Sequence, residues 1–452
     1  MNVRKCVIAL FFLVINNSYS AADDDIFKLD ENEMFGDTSL MQDSASVVKS
    51  GTSFGVIDST TASFSGQISS SVGGTLSDDF FSDRSKNEID PAARTVGNLV
   101  LDIRLPLGVK GYGNTEVTWL ADSNKAYIQL QECFVDVNVA KRAYFRIGKQ
   151  VLQWGRGEIW NPTDLINVEK KPIQKDLGAR EGSYGIKMHV PFGTKWNIYG
   201  FVDLNDVSAV DSVAGTLKLE TLIGGTEAAL ALWKKPGKDP VFGLDFSTSL
   251  LDFSITGEVS LTSGSNYYIL KSFTPGQPAG KEPIDKDVVA RLCVGVSRFI
   301  DLLDVDDRLI VHGEYYYNQA GYDGNLIKDY RIGDIVKKMK TGGSSSGSNE
   351  LIDNKLFASQ IAEIYEPNNH SRHYAALSAS VSKFIISDMS LNLMGIVNMN
   401  HGCGMIITGL SYRNMYNYSL GLEVTTYVGP DNTEYTFMGN RMSLNLYTGI
   451  DF

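Results

Sequence analysis

The chain has 452 residues, a formal net charge of −12 and four cysteines. An acidic balance excludes a partner bound through phosphate neutralisation, so no nucleic acid is expected. Sparse cysteines without a C-x-x-C spacing exclude a disulfide framework and a zinc site.

The opening stretch, "MNVRKCVIALFFLVINNSYSA", has a basic start (Arg4, Lys5), an apolar run from Val7 to Ile15 and small residues at Ser18 and Ser20. This is the pattern of a secretory signal, too short for a membrane span, with cleavage expected near Ser20 and a mature chain of about 430 residues. Cys6 precedes the apolar run, so it is no lipid anchor, and Cys133, Cys293 and Cys403 remain. Residues 21–50, beginning "AADDDIFKLDENEMFGD", are acidic and lack alternation. They read as a mobile periplasmic arm, with a lumenal plug as the alternative.

From residue 51 the chain is rich in glycine, tyrosine and phenylalanine, with no apolar run of helix-spanning length. Segments of about ten residues with alternating polarity recur instead, which is how strands of a membrane barrel are written. Strands are predicted near 61–73, 95–107, 112–120, 127–140, 142–152, 183–191, 195–205, 215–223 and 226–234. The series continues at 240–248, 251–261, 287–299, 307–319, 372–384, 387–400, 404–415, 417–428 and 441–452. In 417–428, Tyr418, Leu420, Leu422 and Val424 oppose Ser419, Gly421, Glu423 and Thr425; in 251–261, Leu251, Phe253 and Ile255 oppose Asp252, Ser254 and Thr256. Tight turns such as "KR" and "GG" follow the even strands, while long links (74–94, 153–182, 262–286, 320–371, 429–440) follow odd ones. Short turns at one end and long loops at the other belong to a barrel rather than a sandwich. The expected fold is therefore all-β: a closed antiparallel transmembrane β-barrel over 51–452 of about 18 strands, with 16 as the alternative.

Residues 127–167, "YIQLQECFVDVNVAKRAYFRIGKQVLQWGRGEIWNPTDLIN", carry a denser pattern. Val135, Val137 and Val139 take the lipid side and Glu132, Asp136 and Asn138 the lumen. On the next strand Phe145, Ile147 and Val151 oppose Arg146, Gly148 and Gln150. Pairing across the "KR" turn puts Arg146 near Asp136 or Glu132. Gly148 allows a close approach to the wall, Asn161 before Pro162 sets a turn, and Asp164 is placed to cap a helical turn beginning near Leu165. Lys149 falls on lipid parity, which calls for an interface or a bulge.

The set Glu132, Phe134, Val135, Asp136, Arg146, Gly148, Gln150, Trp154, Gly155, Asn161, Pro162 and Asp164 resembles a pattern of outer-membrane β-barrels of porin-like and export-channel type. Cys133 and Lys149 depart from it. The resemblance covers about forty residues and the last strand, and implies the fold more than a substrate. Glu132, Asp136, Arg146, Gly148, Gln150, Trp154, Arg156, Asn161 and Asp164 are candidates to line the pore or latch the loop 153–182 to the wall. Glu314, Arg413 and Glu423, on inward parity elsewhere, join them.

Further along, 320–371 is the largest insertion, reading as two short amphipathic helices around "TGGSSSGSN". The final strand, "RMSLNLYTGIDF", alternates to the last residue. Its terminal Phe452, with Tyr447, Gly449 and Ile450, resembles the sorting signal read by the barrel-assembly machinery of a diderm bacterium's outer membrane. A closed barrel must also seal this strand against the first.

Inward carboxylates (Asp102, Glu116, Glu132, Asp136, Asp203, Asp245, Asp252, Glu258, Glu314, Glu423, Asp451) outnumber inward bases by roughly two to one. They predict a water-filled pore for small polar or cationic solutes. A transporter of hydrophobic, fatty-acid-like molecules and a surface adhesin or structural barrel are the alternatives. No catalytic, metal or cofactor pattern occurs, so an enzyme is the weakest reading. The bilayer, the assembly machinery and small solutes are the implied partners, and a homo-oligomer stays open.

Overall fold

A computed structural model describes residues 52–53, 61–77, 89–105, 108–121, 124–166, 182–205, 212–272, 280–303, 305–330, 332–333, 366–414 and 416–452. The proposed signal, the acidic arm and most of the 320–371 insertion lie outside these residues.

Eighteen long strands form one antiparallel sheet. In chain order they are β1 (Thr61–Ser77), β2 (Ile89–Leu105), β3 (Val109–Leu120), β4 (Lys125–Val139), β5 (Ala143–Gln150) and β6 (Ser183–Phe192). Next come β7 (Trp196–Asp203), β8 (Ala214–Ile223), β9 (Thr226–Lys234), β10 (Val241–Leu250), β11 (Phe253–Thr262) and β12 (Val289–Ile300). The last are β13 (Leu309–Asn318), β14 (His373–Val381), β15 (Met389–Asn398), β16 (Cys403–Arg413), β17 (Tyr418–Val428) and β18 (Asn440–Asp451). A two-residue strand, Thr52–Ser53, is appended to β1. The hairpin Tyr268–Ser272/Gly280–Pro283 and the one-turn helix Leu326–Asp329, capped by Asn325, stand on the long loops.

Each strand pairs with its sequence neighbour, and β18 returns to β1 with Ile450 opposite Ile68 and Leu446 opposite Val72. The ring is therefore closed, as a sheet without hydrogen-bonding lipid partners requires. The terminal residue takes part in the seal. Phe452 donates to the Gly66 carbonyl at 2.9 Å, Gly66 donates to the Phe452 carbonyl at 2.8 Å, and the Phe452 ring lies 6.3 Å from that of Phe64.

Alternation sets the two faces. Large apolar residues stay uncovered on the outside, including Val135, Ile147, Leu217, Leu230, Leu244, Leu446 and Ile450. Exposed Leu and Ile in a continuous belt have no explanation in water but match hydrocarbon. Trp119, Trp196 and Tyr315 are exposed on the same face. The two first strands run longer than their polarity pattern, leaving 78–88 as the connection where 74–94 was expected. β5 stops at Gln150, short of residue 152.

Lys149 is resolved by a bulge in the neighbouring strand. Between β3 and β4 the register passes from Asn114–Glu132 to Thr115–Leu130, leaving Gln131 unpaired. The Lys149 ammonium reaches the Leu130 carbonyl at 2.7 Å, lies over the Tyr184 ring and is buried. Lipid parity is kept without an ammonium facing lipid.

Candidate functional site

The inward faces of β8 to β13 carry a band of acids. Glu220 and Asp245 flank Ala229 in the register, and Asp245 is opposite Glu258. Glu227 and Glu314 lie one inward step nearer the short turns. Segment 151–166 leaves β5, turns into the barrel and lies against this band.

Two wall carboxylates are held by the loop's main chain. Glu258 accepts from the N–H groups of Arg156, Gly157 (2.6 Å) and Thr163 (3.0 Å) and from the Thr163 hydroxyl (2.8 Å). Glu314 accepts from the N–H groups of Glu158, Ile159 (3.1 Å) and Trp160 (3.1 Å) and bonds His312 Nε2 at 3.1 Å. Successive N–H groups converging on an anion make a nest, and here the anion belongs to the barrel wall. The glycines permit it. A Cβ on Gly155 would stand 2.3 Å from Asn161 Oδ1, and one on Gly157 2.2 Å from the Trp160 carbonyl.

Arg156 supplies the counter-charge. Its guanidinium pairs with Glu220 (3.0 Å), Asp245 (2.9 Å) and Glu227. Lys218 pairs with Asp245 at 3.0 Å and donates to the Trp154 carbonyl at 2.6 Å. Burial opposes the Arg156 charge, yet Asp245, Glu220 and Glu227 outweigh it and hold the guanidinium above its ordinary value.

Apolar loop residues fill the gaps between these polar anchors. Trp160 packs among Cys293, Tyr316, Tyr374, Ala376 and Ile396, stacked on Tyr316 with ring centroids 5.5 Å apart. Its Nε1 donates to the Asn368 carbonyl at 2.7 Å. Leu165 enters a cluster with Ala214, Ala231, Trp233 and Val241, while Leu152, Trp154 and Ile166 pack on Phe201. Alanines at inward positions make room on the wall, so the loop is seated as a core element would be.

The residues singled out in the sequence take the following places. Arg146 and Asp136 form a bidentate pair at 2.7 and 2.9 Å, with the guanidinium 3.8 Å from the centre of the Phe134 ring. Glu132 accepts from the Val151 N–H at 2.8 Å, fixing the point where the loop departs. Gly148 has φ of +132°, and a Cβ there would stand 2.2 Å from the Cys133 carbonyl oxygen. Gln150 is fully buried and donates to the carbonyls of Arg146 and Gly185 at 3.3 Å. The Asn161 carbonyl accepts from the Asp164 N–H at 3.1 Å, closing the expected turn. Asp164 Oδ1 accepts from the Trp154 N–H at 3.3 Å, so its carboxylate braces the loop where a helix cap was expected. Arg413 pairs with Asp451 at the short-turn end, and Glu423 lies opposite Gly409 and Asn445.

Lys218, Glu220, Glu227, Trp160 and His312 escaped selection. The inward parity of Lys218, Glu220, Glu227 and His312 was readable, but the loop that makes them matter is remote in sequence; Trp160 lies on that loop, and the wall it packs against is the remote part. Glu158 was also missed. It is exposed, with its Oε2 3.7 Å from His312 Nε2. Partial desolvation against the wall and nearby Glu314 raise its carboxyl above the ordinary range, with His312 opposing. Gln153 is the other exposed residue of the stretch 151–160.

A closed eighteen-strand ring, apolar outside and holding a loop within, defines a transmembrane β-barrel. No protein-family model matches the sequence, and no curated protein does. Solved structures do match. Pseudomonas aeruginosa OccK8 (OprE) is similar at 9% identity over 88% of this chain and 99% of that one, with a TM-score of 0.51. Pseudomonas aeruginosa OpdL is similar at 8% identity over 86% and 98%, also with a TM-score of 0.51. Likeness at this identity speaks for the fold.

Proposed function

We propose that the protein is an outer-membrane channel for passive diffusion of small polar solutes, cations included, with segment 151–166 as its constriction. The observation that carries this reading is the seating of that segment: wall carboxylates Glu258 and Glu314 draw it into the barrel. A loop serving only surface attachment has no use for six main-chain N–H bonds to the inner wall. OccK8 (OprE) and OpdL, among the structures it is similar to, are outer-membrane porins, which supports the reading through the fold.

Inward-facing groups away from the loop are polar. Gln67 Nε2 donates to Asp451 Oδ1 at 2.8 Å, and Glu116 is held by the Thr118 hydroxyl (2.9 Å) and Gln131 (3.1 Å). Such a lining solvates polar solutes and offers nothing to an acyl chain, which favours this reading over a fatty-acid-like transporter. Cation preference rests on fewer groups than the carboxylate count suggests. Asp136 pairs with Arg146, Asp451 with Arg413 and Asp102 with Lys110, while Asp245, Glu258 and Glu314 serve the loop. Glu116, bonded to neutral groups, exposed Glu423 on the wall and the loop's Glu158 are among the acids that face a passing solute.

The signal cleaved near Ser20, assembly through the C-terminal strand and the outer-membrane location belong to the same proposal. Planar-bilayer recording of folded, purified protein tests it. Stepwise conductance is expected, and a folded barrel that passes no current removes the channel reading.

A further inference from the structure

Where segment 151–166 meets β13, three ionisable side chains come together. His312 lies in the wall with its Nε2 3.1 Å from Glu314 Oε1 and 3.7 Å from Glu158 Oε2. On its other edge, Nδ1 meets the Ser297 hydroxyl of β12 at 2.7 Å. The side chains of His312 and Glu314 are 6% and 0% exposed, and that of Glu158 is 47% exposed. A Cβ on Gly295 would stand 3.3 Å from the imidazole Cε1 and 3.5 Å from Glu314 Cγ, so glycine leaves the room in which ring and carboxylate meet.

These contacts let the imidazole change its charge without losing a partner. A carboxylate oxygen only accepts, so Nε2 carries a hydrogen towards Glu314 in either form. A hydroxyl both donates and accepts, so Ser297 donates to the neutral ring and accepts from the protonated one. Imidazole takes up its proton between about pH 5 and 8, a range above that of an ordinary carboxylate.

Among the described residues, the charged and titratable neighbours of the ring are few. Glu314 is on the same strand and Glu158 is on the loop. On β12 the Cys293 thiol donates to Glu314 at 3.7 Å, and on β14 the residue opposite His312 is Ser378. Arg156 is turned to Glu220, Asp245 and Glu227, while Glu258 on β11 is taken by the loop's N–H groups and the Thr163 hydroxyl. The Glu158 main chain is fixed by its N–H bond to Glu314, so what can move is its half-exposed carboxylate, against the imidazole or out into the bore.

We propose that His312 and Glu158 form a proton-operated charge switch in the constriction: acid draws the Glu158 carboxylate onto an imidazolium and lowers the cation preference of the bore. Above the imidazole range the ring is neutral and the carboxylate meets passing solutes with its full charge. Below that range the two charges cancel. The inference rests on the channel reading above and adds a regulation of the same site.

Reversal potentials of folded, reconstituted protein across a potassium chloride gradient test it, taken from about pH 8 to about pH 6, where imidazole titrates. The wild-type cation-to-anion permeability ratio should fall about twofold, the weight of one unit charge acting across a water-filled bore. Glu158→Gln, a change at an exposed side chain, should start from a lower ratio and show no slope. His312→Gln, which keeps a polar partner for Ser297 and Glu314, should lose the slope while still migrating as a heat-modifiable barrel. A wild-type slope in Glu158→Gln overturns the inference, and so does one in His312→Gln, which would mean that the carboxylate titrates by itself. A conducting wild-type barrel with a flat ratio removes the switch and leaves the channel, whereas a folded barrel that passes no current removes both.

Discussion

Removing the Glu258 carboxylate should unseat the inner loop. Glu258→Ala deletes the acceptor shared by the N–H groups of Arg156, Gly157 and Thr163 and by the Thr163 hydroxyl. The residue is 1% exposed, so these bonds form away from bulk water. Hydrogen bonds to a charged group contribute ~1.5–3 kcal/mol each, and four would sum to ~6–12 kcal/mol. Water of the bore re-solvates the freed donors, which lowers the net loss to ~3 kcal/mol. Glu314 and the apolar clusters around Trp160 and Leu165 remain, so the barrel stays folded. A change of ~3 kcal/mol raises the undocked population roughly a hundredfold. Single-channel recording should then show larger mean conductance and more noise within the open level. Iodide should quench the loop tryptophans Trp154 and Trp160 more strongly. Glu258→Gln, which keeps one acceptor oxygen, should fall between the two. Wild-type conductance, noise and quenching in Glu258→Ala would refute the idea that wall carboxylates hold the loop.

Three other outcomes are expected. Glu158→Gln should reduce the cation-to-anion permeability ratio measured from reversal potentials, and Glu158→Lys should carry it towards anions; unchanged ratios in both would show that solutes do not pass this carboxylate. Glu434 sits in the 429–439 loop, where the Tyr374 hydroxyl, Asn398 Nδ2 and the Asn368 N–H each reach it at 2.8 Å. Burial pushes its carboxyl up from 4.5 to about 7 against those bonds. The folded loop therefore binds the proton more tightly than the free chain does, and the linked stability is fully present below pH 4.5 and lost as pH rises through about 7. Amide exchange in that loop, corrected for its intrinsic rate, should quicken across this window in wild type and show no such dependence in Glu434→Gln. Deleting Phe452 removes both main-chain bonds to Gly66 and the ring beside Phe64. It should lower the yield of heat-modifiable barrel several-fold, and an unaltered yield would mean the seal does not depend on its last residue.

The alternating pattern was legible wherever one face of a strand meets lipid, because a period of two survives in any short window. Strand 417–428 could be divided correctly into Leu420 and Leu422 on one side and Glu423 and Thr425 on the other without knowing its neighbours. A tight turn fixes the register of adjacent strands, so Arg146 could be placed near Asp136 or Glu132, and the structure decides for Asp136. Lys149 was not, because the bulge that brings the Leu130 carbonyl to it belongs to a register shift between two other strands.

What the sequence determined by itself is the barrel: hydrocarbon outside selects every second residue, and a closed ring leaves the backbone no unpaired edge. What only the tertiary structure decided is the fate of the loop after β5. Thr163 and Glu258 stand 95 positions apart, and Glu158 and Glu314 stand 156 apart. Many inward acids look alike along the chain, and only closure of the ring puts Glu258 and Glu314, rather than Glu116 or Glu423, beneath the descending N–H groups.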